Sequence, residues 1–190
     1  MKFLIILLFP IFIFGQTSVN PKVNEFTETF DLKNDYFFVD NTHPGAIFMV
    51  RPENMEYEEC VKVDYYFSTN LYWQDKDGNF YEKSFYPCSE TETKLTNSDF
   101  LDFARKNFEI LKTEEVKKYQ LKKDSIVGNT IYGSYKILNH QPVKNYTFKI
   151  RNEIIFKRFE TYYLTTEGDN INYEHNQSLK LIELDRMLDN

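Results

Sequence analysis

The sequence predicts an α+β domain: mostly antiparallel β-sheet in two β-meanders, with one amphipathic helix packed on a face. Three observations predict it. Turn-forming clusters separate short aromatic and β-branched runs, one stretch after Thr96 switches to helical spacing, and strands do not alternate regularly with helices as a parallel sheet requires. The 18 Phe and 14 Tyr among 190 residues point the same way, because large rings suit pleated, half-buried surfaces.

Residues 1–15 read as a secretory signal peptide. Lys2 supplies the charge, Phe3 to Phe14 are bulky hydrophobes except Pro10, and Gly15 and Gln16 end the run. A dozen helical residues rise only about 18 Å, too short for a hydrocarbon core of about 30 Å. Cleavage after Gly15 leaves 22 basic against 29 acidic side chains, a net charge of −7. That balance argues against a nucleic-acid binder, which needs a basic excess, and against a domain that lies on an anionic membrane. Later apolar runs are only a few residues long, so no further span is expected. The expected location is secreted or periplasmic, with 16–30 as a loose leader and 31–190 as a single α+β domain.

The only cysteines are Cys60 and Cys88. In an exported chain an even pair is expected to be bridged, and closing a loop of about 29 residues is worth about 3–4 kcal/mol. Their spacing is not that of a redox motif, and no cysteine-enzyme signature surrounds either.

Each element has its own signal. Tyr36–Val39 and Ala46–Val50 flank a Pro-Gly turn at Asp40–Gly45, which predicts a hairpin. Val61, Val63, Tyr65 and Phe67 alternate with Lys62, Asp64, Tyr66 and Ser68 at the strand period. Leu71–Trp73 and Phe80–Tyr86 flank Asp75-Lys76-Asp77-Gly78-Asn79 as a second hairpin. Phe100, Phe103, Ala104, Phe108 and Leu111 fall at helical spacing behind a capping box from Thr96 to Asp99, and the helix is expected to continue toward Tyr119. Strands return at Thr130–Leu138, Asn145–Ile150 and Ile154–Leu164, and Ser178–Leu184 reads as a final strand.

The chemistry-bearing groups are sparse. Asp75–Asn79 superficially resembles a calcium loop, but its glycine is fourth and Tyr86 stands where the bidentate Glu belongs, so an acidic hairpin tip is expected. His43, His140 and His175 have no zinc spacing. Glu53, Glu56, Glu58 and Glu59 read as a solvated acidic patch, and Lys112, Lys117, Lys118, Lys122 and Lys123 as a solvated basic helical face. No GxSxG elbow, P-loop, dinucleotide glycine pattern or HExxH occurs. Tyr72, Trp73, Tyr81 and Tyr86 form the candidate binding patch, with core packing as the competing account, since alternate strand residues point to opposite faces. Asn145-Tyr146-Thr147 and Asn176-Gln177-Ser178 match the glycosylation triplet.

The functional expectation is a small non-catalytic domain that binds a protein or small ligand in the cell envelope. The alternatives are an inhibitor or immunity-type protein capping another secreted protein, and a hydrolase with dispersed acidic or histidine residues. No metal or other cofactor is implied.

Overall fold

The structure, a computed structural model, describes residues 21–29, 34–44, 65–86, 89–165 and 170–189. The expected signal peptide, Ala46–Val50, the glutamates of 53–59 and both cysteines with their expected bridge lie outside the described residues.

In chain order the elements are α1 (Pro21–Glu28), β1 (Tyr36–Pro44), β2 (Tyr65–Gln74), β3 (Phe80–Phe85), β4 (Lys94–Leu95), α2 (Asp99–Lys106), α3 (Phe108–Thr113), β5 (Gln120–Val127), β6 (Thr130–Tyr135), β7 (Val143–Ile150), β8 (Glu153–Glu160), a 3-10 turn (Thr161–Leu164), α4 (Tyr173–Gln177) and α5 (Lys180–Leu188). The class is α+β with an antiparallel sheet, as expected, but the sequence called for one helix and the described residues hold five α-helices.

Six strands form one antiparallel sheet in the order β4-β3-β2-β1-β7-β8, and β5-β6 form a separate two-stranded hairpin. The two expected meanders therefore merge through β1, where Phe38 faces Leu71 on one side and Thr147 on the other. The strand period divides β1 between two cores. Phe37 and Val39 join Tyr72, Tyr146, Phe148 and Ile150 against Leu101, Ala104 and Phe108 of α2 and α3 and Leu181, Ile182 and Leu184 of α5. Phe38 joins Leu71, Trp73 and Phe85 on the opposite face, beneath Val23 and Phe26 of α1.

Four expectations need correcting. The leader is not loose over its second half. Pro21 suits a first helical position, and Val23 and Phe26, three residues apart, reach the sheet from one side of α1. Asp40–Pro44 is not a turn but the second half of β1, paired with Thr69 through Tyr65. The β7 ladder stops at Thr42, so the proline falls beyond it, at a strand end where a missing N–H is tolerated. The helix after Thr96 ends by Thr113, and Ser98 rather than Thr96 stands at its N-cap, with no side-chain cap bond. Asn107 divides it with φ −101° and ψ 11°, and its side-chain amide donates to the Phe103 carbonyl at 2.9 Å. Residues 114–119 form neither helix nor strand, so Lys117 and Lys118 lie on a connector and Lys122 and Lys123 on β5, not on a helical face.

The tail is a helix rather than a strand. Leu181, Ile182 and Leu184 are all buried, which a strand exposing alternate residues could not achieve. Its first turn is capped from 66 residues away: Glu114 Oε2 accepts from Lys180 N at 2.9 Å and Oε1 from Leu181 N at 2.5 Å. Leu179, the N-cap residue, has no side-chain oxygen to offer, so the distant carboxylate supplies what the local sequence lacks.

Candidate functional site

The β5-β6 hairpin leaves the body of the protein at Tyr119 and returns at Lys136, whose N–H donates to the Tyr119 carbonyl at 3.1 Å. Its tip is Gly128-Asn129, and Gly128 has φ 62°, a left-handed conformation suited to glycine. Three asparagines hold the base. Asn176, fully buried, accepts from Lys117 N and donates to the Lys117 and Tyr163 carbonyls, each at 2.9 Å. Asn170 accepts from Gln120 N at 3.3 Å, and Asn172 donates to the Lys118 carbonyl at 3.0 Å. Beside them Tyr119 and Tyr162 stack at 4.7 Å and 6°, with the Lys136 ammonium 5.6 and 5.4 Å from their ring centres.

Between this hairpin and β8 lies an open cleft of about 1020 Å³. Two of its acidic groups, Asp124 and Glu160, are hydrogen-bonded inside the chain. Asp124 accepts from Gln120 Nε2 at 2.8 Å and from the Tyr135 hydroxyl at 3.1 Å. That contact needs Gly133, because a Cβ there would meet Tyr135 Cε2 at 2.1 Å. The hydrogen bond to Asp124 raises the pKa of the Tyr135 phenol. Tyr163 is pushed up to about 12, first by burial and then by its hydrogen bond to Glu160. Both phenols are therefore protonated donors at neutral pH and poor bases. Arg158 differs: among the described residues no carboxylate lies within ion-pair distance of its guanidinium. Glu115, Lys117, Lys118 and the exposed Ile137 also line this wall.

The expected aromatic patch is divided by the sheet. Tyr72 stacks on Phe37 at 4.9 Å and sits edge-on to Phe100 at 5.4 Å, facing α2. Trp73 stacks on Tyr81 at 5.5 Å on the α1 face. Tyr72 and Trp73 are both buried, and Tyr86 follows β3 half-buried. His43 lies on β1, His140 in the turn before β7 with φ 59°, and His175 on α4, 3.3 Å from the Glu115 carbonyl. No group of three or more His, Cys, Asp or Glu among the described residues is placed to hold a metal. In the Asp75–Asn79 loop, Asp75 Oδ1 accepts from Asp77 N and Asn79 N, each at 2.9 Å, so its carboxylate caps the turn. Of the two glycosylation triplets, Asn176 is committed to the hairpin base.

Two polar clusters were not legible in the sequence. Tyr146 donates a very short hydrogen bond to Asp185, which also receives Lys144 Nζ at 2.7 Å, while Asp189 receives the same ammonium at 3.0 Å. Burial and the Asp185 charge hold the Tyr146 phenol well above its ordinary range, and the contacts of Tyr146 and Lys144 with Asp185 and Asp189 tie α5 to β7. On the other face Asp40 is buried and accepts from the Thr69 hydroxyl, and burial raises its carboxyl to about 6. The sequence did carry one signal for the hairpin: Gly-Asn between Ser-Ile-Val and Thr-Ile-Tyr is strand-turn-strand chemistry.

The chain matches no known protein family, no curated protein and no solved structure.

Proposed function

We propose that this is an exported, non-catalytic binding protein that holds a partner in the cleft between the β5-β6 hairpin and β8. The observation that carries this reading is the contrast within the cleft wall. Asp124 and Glu160 are satisfied by tyrosine hydroxyls, whereas Arg158 faces the cleft without a carboxylate among the described residues. A planar guanidinium left open beside two phenols and an exposed isoleucine suits a ligand or protein segment with a carboxylate or phosphate and an apolar portion. The signal peptide and the Cys60–Cys88 bridge belong to the same proposal, as the address and the staple of a protein working outside the cytoplasm. An inhibitor or immunity-type protein is the form this takes when the partner is another secreted protein.

The test is affinity capture from the host's envelope and medium with wild type, Arg158→Glu, and Lys106→Glu on the exposed side of α2. A stoichiometric partner retained by Lys106→Glu and lost by Arg158→Glu supports the cleft. Equal capture by all three refutes it.

A further inference from the structure

Beyond the cleft, we propose that the tip of the β5-β6 hairpin is a membrane-docking element that inserts at the head-group boundary of an anionic bilayer, with Lys122 and Lys123 at head-group level.

The first observation is where the exposed apolar side chains lie. Ile126 is 72 % exposed, Ile131 67 %, Val127 66 % and Tyr132 57 %. Ile126 and Ile131 are cross-strand partners and share one face. Val127 pairs with Thr130 and Tyr132 with Ser125, so these two occupy the opposite face. Docking one face of such a ribbon on a protein leaves the other face in water. A lipid phase covers both faces at once. Pairing between β5 and β6 satisfies the inward-facing ladder groups of the tip, and the outward-facing groups of its two edges keep water and head-group partners at the shallow depth proposed.

The second observation is charge. Between Val116 and Leu138 the chain carries five lysines and one aspartate, a local charge of +4 in a molecule of −6. The negative total that argues against an anionic membrane is thus absent from this segment. The dimensions also agree. Strand rise of about 3.3 Å per residue puts Lys123 about 13 Å behind Val127. Interfacial elements bury about 5–10 Å, and the head-group layer adds about 5–7 Å per leaflet. With Val127 at that depth, Lys122 and Lys123 reach the phosphates and Tyr132 sits at the interface, where a ring with a polar tip is favoured.

The test uses the protein as its host exports it, with vesicles of phosphatidylcholine alone or in a 7:3 ratio with phosphatidylglycerol, acyl-brominated in both cases. The Ile131→Trp variant is expected to blue-shift and be quenched on the anionic vesicles, less so as salt rises. Wild type, whose Trp73 is buried, is expected to show neither change. Lys122→Ala with Lys123→Ala should weaken binding to anionic vesicles about 25-fold, at about fivefold per surface lysine. Absence of quenching in an Ile131→Trp protein with wild-type circular dichroism overturns the proposal. So does a tip protected from exchange by an envelope protein but not by vesicles. Loss of capture by Arg158→Glu alongside retained quenching separates failure of one site from failure of the other.

Discussion

Replacing Asn176 by Ala tests the idea that one buried amide sets the position of the hairpin. The side chain makes three hydrogen bonds of 2.9 Å, two to Lys117 and one to the Tyr163 carbonyl. The Tyr163 carbonyl keeps a second donor in Asn170 Nδ2 at 2.9 Å, whereas both backbone groups of Lys117 lose their partner. Three part-buried hydrogen bonds at about 1 kcal/mol each come to a loss of about 3 kcal/mol, with the orphaned groups pushing it upward. For a chain of this size about 2–4 °C accompanies each kcal/mol, so the melting temperature should fall by about 6–12 °C. Asn172→Ala, which removes more exposed bonds to Lys118 and Gln120, is expected to cost at most about 1 kcal/mol. Thermal denaturation by circular dichroism gives the first number. Hydrogen exchange gives the second readout, because the Gln120 and Lys136 amides should lose protection before the central sheet does. An Asn176→Ala protein within about 0.5 kcal/mol of wild type, or one with normal hairpin protection, would refute the reasoning.

Four further outcomes are expected. Glu114→Ala should cost about 1–2 kcal/mol in thermal denaturation by uncapping α5, while Glu115→Ala should be near neutral; equal effects would show that the distant cap contributes nothing. Asp40 has an ordinary carboxyl value of 3.8 and is raised to about 6 in the fold. The native state therefore binds the extra proton, so this group favours folding below pH 4 and loses that contribution as pH rises through 6. Asp40→Asn should then gain stability relative to wild type at pH 8, by up to about 3 kcal/mol, and much less at pH 4; urea melts at the two pH values decide it. Asp185→Ala strips Tyr146 of its acceptor and Lys144 of its buried counter-ion, at an expected cost of about 3–5 kcal/mol, whereas Tyr146→Phe should cost about 1–2 kcal/mol; comparable losses in urea melts would mean the lysine is not held there. Adding a calcium chelator should leave the melting temperature unchanged, because Asp75 already accepts from its own loop; a large drop would mean that the loop binds the ion.

The sheet was legible where its signals were local. Alternation and turn residues placed β3, β7, most of β8 and the Asp75–Asn79 connection, and helical spacing placed Ala104, Phe108 and Leu111 in the core. Misreadings occurred where a distant part of the chain decides. Leu179 to Leu184 is too short a pattern to separate helix from strand, and the deciding group is the carboxylate of Glu114. Lys117 to Lys123 has the charge pattern of a helical face, yet the asparagines of 170–176 take up the backbone groups of 117–120 that a helix would pair internally. The cleft was illegible for the same reason: Arg158 on β8 and Asp124 on β5 share it only because a separate latch aims the hairpin.

The position of β1 also governs the order in which the molecule can assemble. β1 is central in the sheet, and its partner on one side is β7, with Tyr36 opposite Lys149. A chain threading out from its N-terminus can zip β1 to β2 and β3 early, since that ladder spans short separations. The aromatic row of Phe37, Tyr72 and Phe100 then stays partly bare until Phe148 and Leu181 arrive. Closing contacts of such long range is slow and leaves an unpaired strand edge on a half-built sheet. Any truncation before Val143 therefore removes more than the last hairpin and helices: it strands the first meander with an open edge, and such fragments are expected to aggregate rather than to fold as a smaller version of the domain.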